Sequence, residues 1–242
     1  MITAHIQNFN LPIIKSACAF QAYLGFRELG AHINLVDDGA LLEDAERENI
    51  SVGGVGFVRA RLRKLGISYD YLDYPEELTP FLGRKVWIST INQVAADLPR
   101  VFVKPRHWQK FFTGRVINST KDLIGTGVQG GDYEVYCSEV VDMRAEFRVY
   151  VRYGKILGLK QYAGDYKLRP DYELIEKAIA AYQHPLKAYG IDFCLTADNR
   201  TLLIEVNDGY ALGNYGLDNI QYAKFLYTRW ADLTGGKDWY DF

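Results

Sequence analysis

The chain has 242 residues, of which 48% are hydrophobic and 24% are charged, and its net charge is −2. This composition indicates a globular protein of one large domain or two small ones, and it lacks the basic surplus of nucleic-acid-binding proteins. No apolar run is long enough to span a membrane, and three cysteines without a CxxC motif predict reduced thiols and a cytoplasmic location.

The first 75 residues are predicted to alternate strands and helices. Ser16 is expected to cap a helix that runs to Leu29, and a strand is predicted in AHINLVDDG directly after it. The segment ISVGGVGFVRARLRKLG predicts a short strand, a glycine turn and a basic amphipathic helix. This alternation favours a small parallel α/β layer. Residues 74–99 then predict two short helices punctuated by prolines.

From about residue 100 the sequence predicts short β-rich runs joined by brief turns, which is the pattern of antiparallel hairpins. A helix is predicted after Pro170 and is expected to end at His184 and Pro185, and a last amphipathic helix is predicted over about residues 217–233. The expected fold class is therefore α+β, with a small α/β lobe leading into antiparallel sheets backed by helices.

Residues 101–121 contain five lysines and arginines and no acidic residue. Lys104 ends an apolar strand, and Lys110 lies just before the returning strand. A lysine at each foot of a short loop can hold an anionic group such as a polyphosphate. The alternative is a basic hairpin that faces water.

A second polar cluster follows in residues 136–152. Glu146 and Arg148 share one face of a predicted strand, because side chains alternate along it. Arg148 could bind a phosphate or carboxylate with two hydrogen bonds, or it could form a simple ion pair with Glu146. Lys160, on the next strand, is a further nucleotide-binding candidate if the intervening turn places it beside Arg148.

The stretch GIDFCLTADNRTLLIEVND, residues 190–208, predicts a hairpin with polar residues in two apolar strands. A turn of two or four residues places Asp192 directly opposite Glu205, and Asn207 on the same face. Two carboxylates so close repel each other unless a cation lies between them, and oxygen ligands favour a hard ion such as Mg²⁺. The alternative is a solvated strand face with incidental polar residues.

In order along the chain, a lysine at a strand end, a second lysine beyond a loop, a Glu-Val-Val hinge and an Asp…Glu-x-Asn hairpin resemble the ATP-grasp superfamily. The likeness is to its small phage and bacterial clade, named for one arginine and two lysines. It implies an ATP-grasp fold over residues 85–242, in which two α+β subdomains with antiparallel sheets clamp ATP. Residues 1–84 would form a pre-ATP-grasp α/β lobe.

The resemblance also implies roles for individual residues. Lys104 would contact the ATP phosphates, and Lys110 would be the second lysine, near the mobile loop. The backbone of the hinge would read adenine; the hinge residues are Glu139, Val140 and Val141. The loop after Lys104 lacks the glycine-serine run of the larger ligases of this family.

The remaining roles concern ribose, the metal and the reacting group. Asp142 or Glu146 would meet the ribose. Arg148, with Lys110, would be the catalytic pair, and Arg148 would hold the acyl phosphate. Mg²⁺ would be bound by the three oxygen-bearing residues of the hairpin, Asp192, Glu205 and Asn207.

The resemblance implies an ATP- and Mg²⁺-dependent ligase that joins a carboxylate to an amine through an acyl phosphate. The clade, rather than the residues themselves, implies amino acids or peptides as substrates. Two alternatives are a small-molecule kinase on the same fold and a non-catalytic nucleotide-binding module. The expected partners are small-molecule or peptide substrates, without nucleic acid or membrane, and the sequence does not define an oligomeric state. The loop at residues 207–216 is expected either to line the acceptor site or to be a tight turn.

Overall fold

A computed structural model describes the chain over residues 2–8, 16–37, 46–69, 71–107, 111–183 and 186–242. Three short strands near its start pair in parallel: β1 (Thr3–Gln7), β2 (His32–Val36) and β3 (Ile50–Val52). β1 lies in the centre, in the order β2-β1-β3. This parallel pairing confirms the predicted α/β layer.

Two helices connect these strands and cover the sheet. Helix α1 (Ala17–Glu28) begins where the sequence predicts, because the Ser16 side chain accepts a hydrogen bond from the Ala19 backbone at 3.3 Å. Gly30, with a φ of +76°, follows the end of α1. Helix α2 (Val55–Lys64) follows the glycine turn after β3.

Residues 74–99 differ from the prediction in one element. A 3₁₀ helix (Glu76–Phe81) and helix α3 (Ile91–Asp97) are present, but VWIST between them forms strand β4 (Val86–Thr90). Its β-branched and aromatic residues suit a strand. The two predicted helical pieces are thus present, and the strand between them is an element that the prediction lacks.

The first antiparallel sheet contains four strands in the order β4-β7-β5-β6. Its other members are β5 (Val101–Pro105), β6 (Arg115–Ile117) and β7 (Glu134–Ser138). The hinge residues 139–141 follow β7 directly. A compact apolar cluster on one face joins this sheet to α3.

The second antiparallel sheet has the order β11-β10-β8-β9. It contains β8 (Met143–Arg152), β9 (Lys155–Gly164), β10 (Ala188–Thr196) and β11 (Thr201–Asp208). Every residue of β10 is buried, because this strand has neighbours on both edges and apolar layers on both faces. The antiparallel hairpins predicted from residue 100 onwards are thus confirmed.

Helices cover both faces of the second sheet. Helix α4 (Tyr172–Ala181) packs on one face with the 3₁₀ helix. Helix α5 (Asn219–Thr234) packs on the other face and joins it to α1 and the parallel sheet in one core cluster. His184 and Pro185, expected to end α4, lie outside the described residues. The apolar cluster around α5 contains residues from both sides of the predicted domain boundary at residue 84. This boundary stays a prediction.

The hairpin β10–β11 places Asp192 directly opposite Glu205, which confirms the predicted pairing. The predicted turn length is wrong, however. The turn spans residues 197–199, with Asn199 at a φ of +62°, and this length alone would shift the register by one residue. A β-bulge at Ile204 restores the register before the site. Arg84 holds the bulge by donating to the carbonyls of Leu203 at 2.6 Å and Ile204 at 3.1 Å.

Two features bear on the surroundings of the chain. Across the described residues, no helix is both long and apolar enough to cross a bilayer. Cys18, Cys137 and Cys194 are free thiols, as the sequence predicts. Cys137 and Cys194 are buried, and burial raises the pKa of each thiol to about 11.

Candidate active site

Three oxygen-bearing side chains from β10 and β11 meet at one patch. Asn207 Nδ2 donates to Asp192 Oδ2 at 3.3 Å and to Glu205 Oε1 at 3.1 Å. Asn207 therefore bridges the two carboxylates. The side-chain oxygen of Asn207, Oδ1, has no hydrogen-bond partner in the part of the chain that the structure describes. This oxygen is therefore available to a ligand.

Arg148 neutralises Asp192 from the neighbouring strand. The two residues are directly opposite each other in the β8–β10 pairing. Arg148 donates from Nε to Asp192 Oδ1 at 2.7 Å and from Nη2 to Oδ2 at 2.6 Å. Burial lowers the pKa of Arg148, but the bonds and charge of Asp192 outweigh this effect and raise it. The alternative ion pair with Glu146 is wrong, because Glu146 instead accepts from Tyr162 Oη at 2.9 Å.

Lys104 neutralises Glu205 from the other sheet. Its Nζ donates to Glu205 Oε2 and to Asp73 Oδ1, both at 2.6 Å, and lies 4.4 Å from the centroid of the Tyr74 ring. Burial disfavours the ammonium charge, but Glu205, Tyr74 and Asp73 outweigh it and raise the pKa of Lys104. The Lys104 charge in turn lowers the pKa of Glu205 in spite of burial. The alternative of a water-facing basic hairpin is wrong for Lys104, which is only 9% exposed.

Asp73 is a site residue that the sequence analysis missed. It lies between α2 and the 3₁₀ helix, in a segment without a periodic pattern. Its backbone carbonyl accepts from the Val206 N–H at 2.8 Å, which forms a single antiparallel bridge to β11. Its φ of +41° is left-handed, which is uncommon for a residue with a side chain. This bridge places the Asp73 carboxylate against Lys104, and burial raises the pKa of Asp73.

A cavity of about 720 Å³, here called the main cavity, is lined by residues of the N-terminal layer and of both antiparallel sheets. Lys104, Arg148, Glu205 and Asn207 all line it, whereas Asp192 lies behind Arg148. The loop at residues 207–216 also lines it, and the role of this loop in an acceptor site stays a prediction. Further wall residues come from the N-terminal layer and from this loop: Cys18, Gly53, Val55, Leu212 and Tyr215.

A narrow cavity of about 80 Å³ adjoins the main cavity and shares Lys104 and Glu205 with it. Its apolar wall comes from both antiparallel sheets and consists of Phe102, Val116, Met143 and Ile204. Val140 and Val141 of the hinge complete it, and among the described residues nothing hydrogen-bonds their backbone N–H and C=O groups. The Glu139 N–H donates to the Lys85 carbonyl at 3.1 Å instead. Val140 and Val141 can therefore bind the edge of a planar heterocycle.

The other predicted site residues either line neither the main nor the narrow cavity or lie outside the described residues. Lys160 pairs directly opposite Arg148 across β8 and β9, the arrangement that the sequence left open. Asp142 is exposed and lines an open groove that also touches the hinge, not the narrow cavity. Glu146 lines neither cavity. Lys110 lies outside the described residues.

The donor set suits Mg²⁺ although it is not a complete cage. No group of three or more His, Cys, Asp or Glu within the described ranges is arranged to hold a metal. Mg²⁺ usually needs only one or two carboxylates, because phosphate oxygens and water supply its other ligands. Glu205, with its side chain 27% exposed, and Asn207 line the main cavity, and the two oxygens of Glu205 accept from Lys104 and Asn207. Asp192, the third predicted ligand, has both oxygens bound by Arg148.

Comparison with known proteins identifies the family. The model of an ATP-grasp domain, family 2 of the clade named for one arginine and two lysines, matches residues 81–225, which is more than half of the chain. This match confirms the superfamily and the clade inferred from the sequence, together with the α+β fold of two antiparallel sheets. No curated protein matches the chain.

Solved structures share this fold at low sequence identity. D-alanine–D-alanine ligase from Bacillus anthracis in complex with ATP is 15% identical, with a TM-score of 0.55 over 96% of each chain. N5-carboxyaminoimidazole synthetase from Staphylococcus aureus is 14% identical, with a TM-score of 0.55 over 98% of this chain and 78% of that one. D-cycloserine synthetase is 12% identical, with a TM-score of 0.53 over 95% and 99%. At this identity the likeness establishes the fold.

Proposed function

Because this chain belongs to family 2 of the one-arginine, two-lysine clade of ATP-grasp domains, we propose that it is an ATP- and Mg²⁺-dependent ligase that joins a carboxylate to an amine. The observation that carries the proposal is the meeting of the two cavities at Lys104 and Glu205. One cavity suits a heterocycle and the other is large enough for a second substrate, so a transferable phosphate would lie between them.

The narrow cavity is the proposed adenine site. Its apolar walls would stack on the base, and the unpaired backbone groups of Val140 and Val141 would bind the base edge. Lys104 lies where the polyphosphate would pass into the main cavity. Glu139 also lines the narrow cavity, and its side chain accepts from the Lys85 N–H at 2.9 Å, which joins the hinge to the start of β4.

Glu205 and Asn207 would hold Mg²⁺, and Mg²⁺ would supply positive charge beside the phosphates. Asp192 could join them only after its pair with Arg148 opens. In the structure, Lys104 neutralises Glu205 and Arg148 neutralises Asp192. The same two cations are the ones that we propose for the phosphates.

The main cavity is the proposed site of the carboxylate and the amine. Arg148 lines it and would stabilise negative charge on the phosphoryl group as that group moves to the carboxylate. The carboxylate oxygen would form a bond to the γ-phosphorus as the bond to ADP breaks. The amine would then attack the acyl carbon and release phosphate. Amino acids or short peptides are the proposed substrates, as the clade implies.

The direct test is ADP release from the purified protein with a panel of amino acids and short peptides, followed by mass analysis of the products. A ligase is expected to give a product with the mass of the two substrates less one water, and only when an amine is present. A stable phosphorylated product without any amine would instead identify a kinase. Mg²⁺-dependent binding of ATP without any turnover would identify a binding module.

A second test uses Cys18 to separate the two cavities. A bulky maleimide is expected to react only with Cys18, because Cys137 and Cys194 are buried and have raised pKa values. Cys18 lines the main cavity but not the narrow one. Labelling should therefore abolish ligation while ATP binding, measured by calorimetry, persists. Treated Cys18→Ser protein is the control, and normal turnover of the labelled parent would contradict the substrate assignment.

A further inference from the structure

Lys104 has two carboxylate partners, and they differ in what else holds them. Glu205 also accepts from Asn207 at 3.1 Å. Asp73 is bound through Oδ1 to Lys104 alone, and its Oδ2 is buried without a hydrogen-bond partner among the described residues. Lys104 is thus the one hydrogen-bond donor to the Asp73 carboxylate among the described residues, whereas Glu205 has a second donor in Asn207.

The two carboxylates also differ in access. The Glu205 side chain is 27% exposed, and that of Asp73 is 8% exposed. Mg²⁺ is reluctant to lose its water ligands. Both carboxylates line the main cavity, but Glu205 is the more exposed of the two and is therefore the one that a hydrated ion arriving with a nucleotide reaches more easily.

We propose that Asp73 is a positioning residue that retains Lys104 when Glu205 turns to the metal. This inference rests on the proposed function, since it assumes that Glu205 binds Mg²⁺ and Lys104 binds phosphate. In the structure, Lys104 Nζ donates to Asp73 and to Glu205 at the same distance of 2.6 Å. When the metal claims Glu205, Asp73 remains as the partner of Lys104 and keeps the ammonium at the junction of the two cavities. Without Asp73, Lys104 would have Glu205 as its one carboxylate partner and would compete with Mg²⁺ for it.

The fold holds Asp73 ready for this role. Its backbone bridge to Val206, the residue after Glu205, fixes the spacing of the two carboxylates. At this bridge Asp73 adopts a left-handed φ of +41°. Strained backbone of this kind persists where the surroundings enforce it, and functional sites are a common location.

The test is Asp73→Asn, because asparagine matches aspartate in size and tolerates a positive φ. We expect the Mg²⁺ concentration that half-saturates ATP binding to rise by about tenfold, while the ATP affinity at saturating Mg²⁺ changes little. Calorimetric titrations of ATP at a series of Mg²⁺ concentrations measure both values. Glu76→Gln removes one exposed charge from the same segment and is the matched control.

A double-mutant cycle with Lys104→Ala separates positioning from direct metal binding. If Asp73 acts through Lys104, Asp73→Asn should leave the Mg²⁺ requirement unchanged once Lys104 is absent. A shift that persists in the Lys104→Ala background would make Asp73 a metal ligand and overturn the inference. An unchanged Mg²⁺ requirement in Asp73→Asn alone would also overturn it. A parent protein that does not bind ATP would refute the proposed function itself.

Discussion

Replacing Arg148 with alanine is expected to lower turnover by about 100-fold or more, in line with the loss of a preorganised charge-stabilising group. The same change leaves Asp192 buried without its cation, and breaking a buried ion pair costs about 3–5 kcal/mol of stability. The measurement is ADP release with an accepted substrate, together with the melting temperature of each variant.

Turnover and stability are both expected to fall in Arg148→Ala. A second variant is therefore needed to separate the effect on turnover from the effect on stability. Combining Arg148→Ala with Asp192→Asn removes the stranded charge, so the melting temperature should recover while turnover stays low. Arg148→Lys keeps the charge but loses the two-bond geometry, and an intermediate loss is expected. A folded Arg148→Ala protein with near-normal turnover would show that Arg148 is only structural.

Replacing Lys104 with alanine is expected to weaken ATP binding by about 10- to 100-fold, which corresponds to about 1.5–3 kcal/mol for a lost charge-assisted hydrogen bond. The structure adds a second reason, because Asp73 and Glu205 would then both face the polyphosphate without their shared cation. Calorimetric titration with ATP at saturating Mg²⁺ measures the effect.

The matched control for Lys104 is Lys155→Ala, which removes an exposed lysine at the start of β9 and has the same effect on net charge. Its ATP affinity should equal that of the parent. Lys104→Arg should retain part of the affinity, since the positive charge remains. Unchanged binding in a folded Lys104→Ala protein would remove Lys104 from the phosphate site.

Much of the site follows from local sequence patterns. Strand alternation and a hairpin predict that Asp192 faces Glu205, and the structure confirms this pairing, but it depends on a three-residue turn whose register shift the bulge at Ile204 reverses. Arg148 was identified as a phosphate or carboxylate clamp, but its partner was not, because the pairing of β8 with β10 joins residues far apart in the chain. This pair also means that a mutation of Arg148 affects Asp192, one of the three predicted metal ligands.

Asp73 shows where sequence reasoning stops. It lies in an irregular segment, so neither helical nor strand periodicity marks it. Its importance comes from one backbone bridge to Val206 and one contact with Lys104, and both are tertiary. The strand at Val86–Thr90 was missed for a related reason, since its pairing with β7 overrides the helical interpretation of the residues around it.

The bulge at Ile204 has a practical consequence for engineering the hairpin. It divides β10–β11 into an outer half, which ends in the exposed turn at residues 197–199, and an inner half that carries Glu205 and Asn207. Because Arg84 fixes the bulge from outside the hairpin, the length of the turn and the register of the inner half are set separately. The turn is therefore the place to insert a reporter or an affinity tag, since exposed loop tips tolerate added sequence.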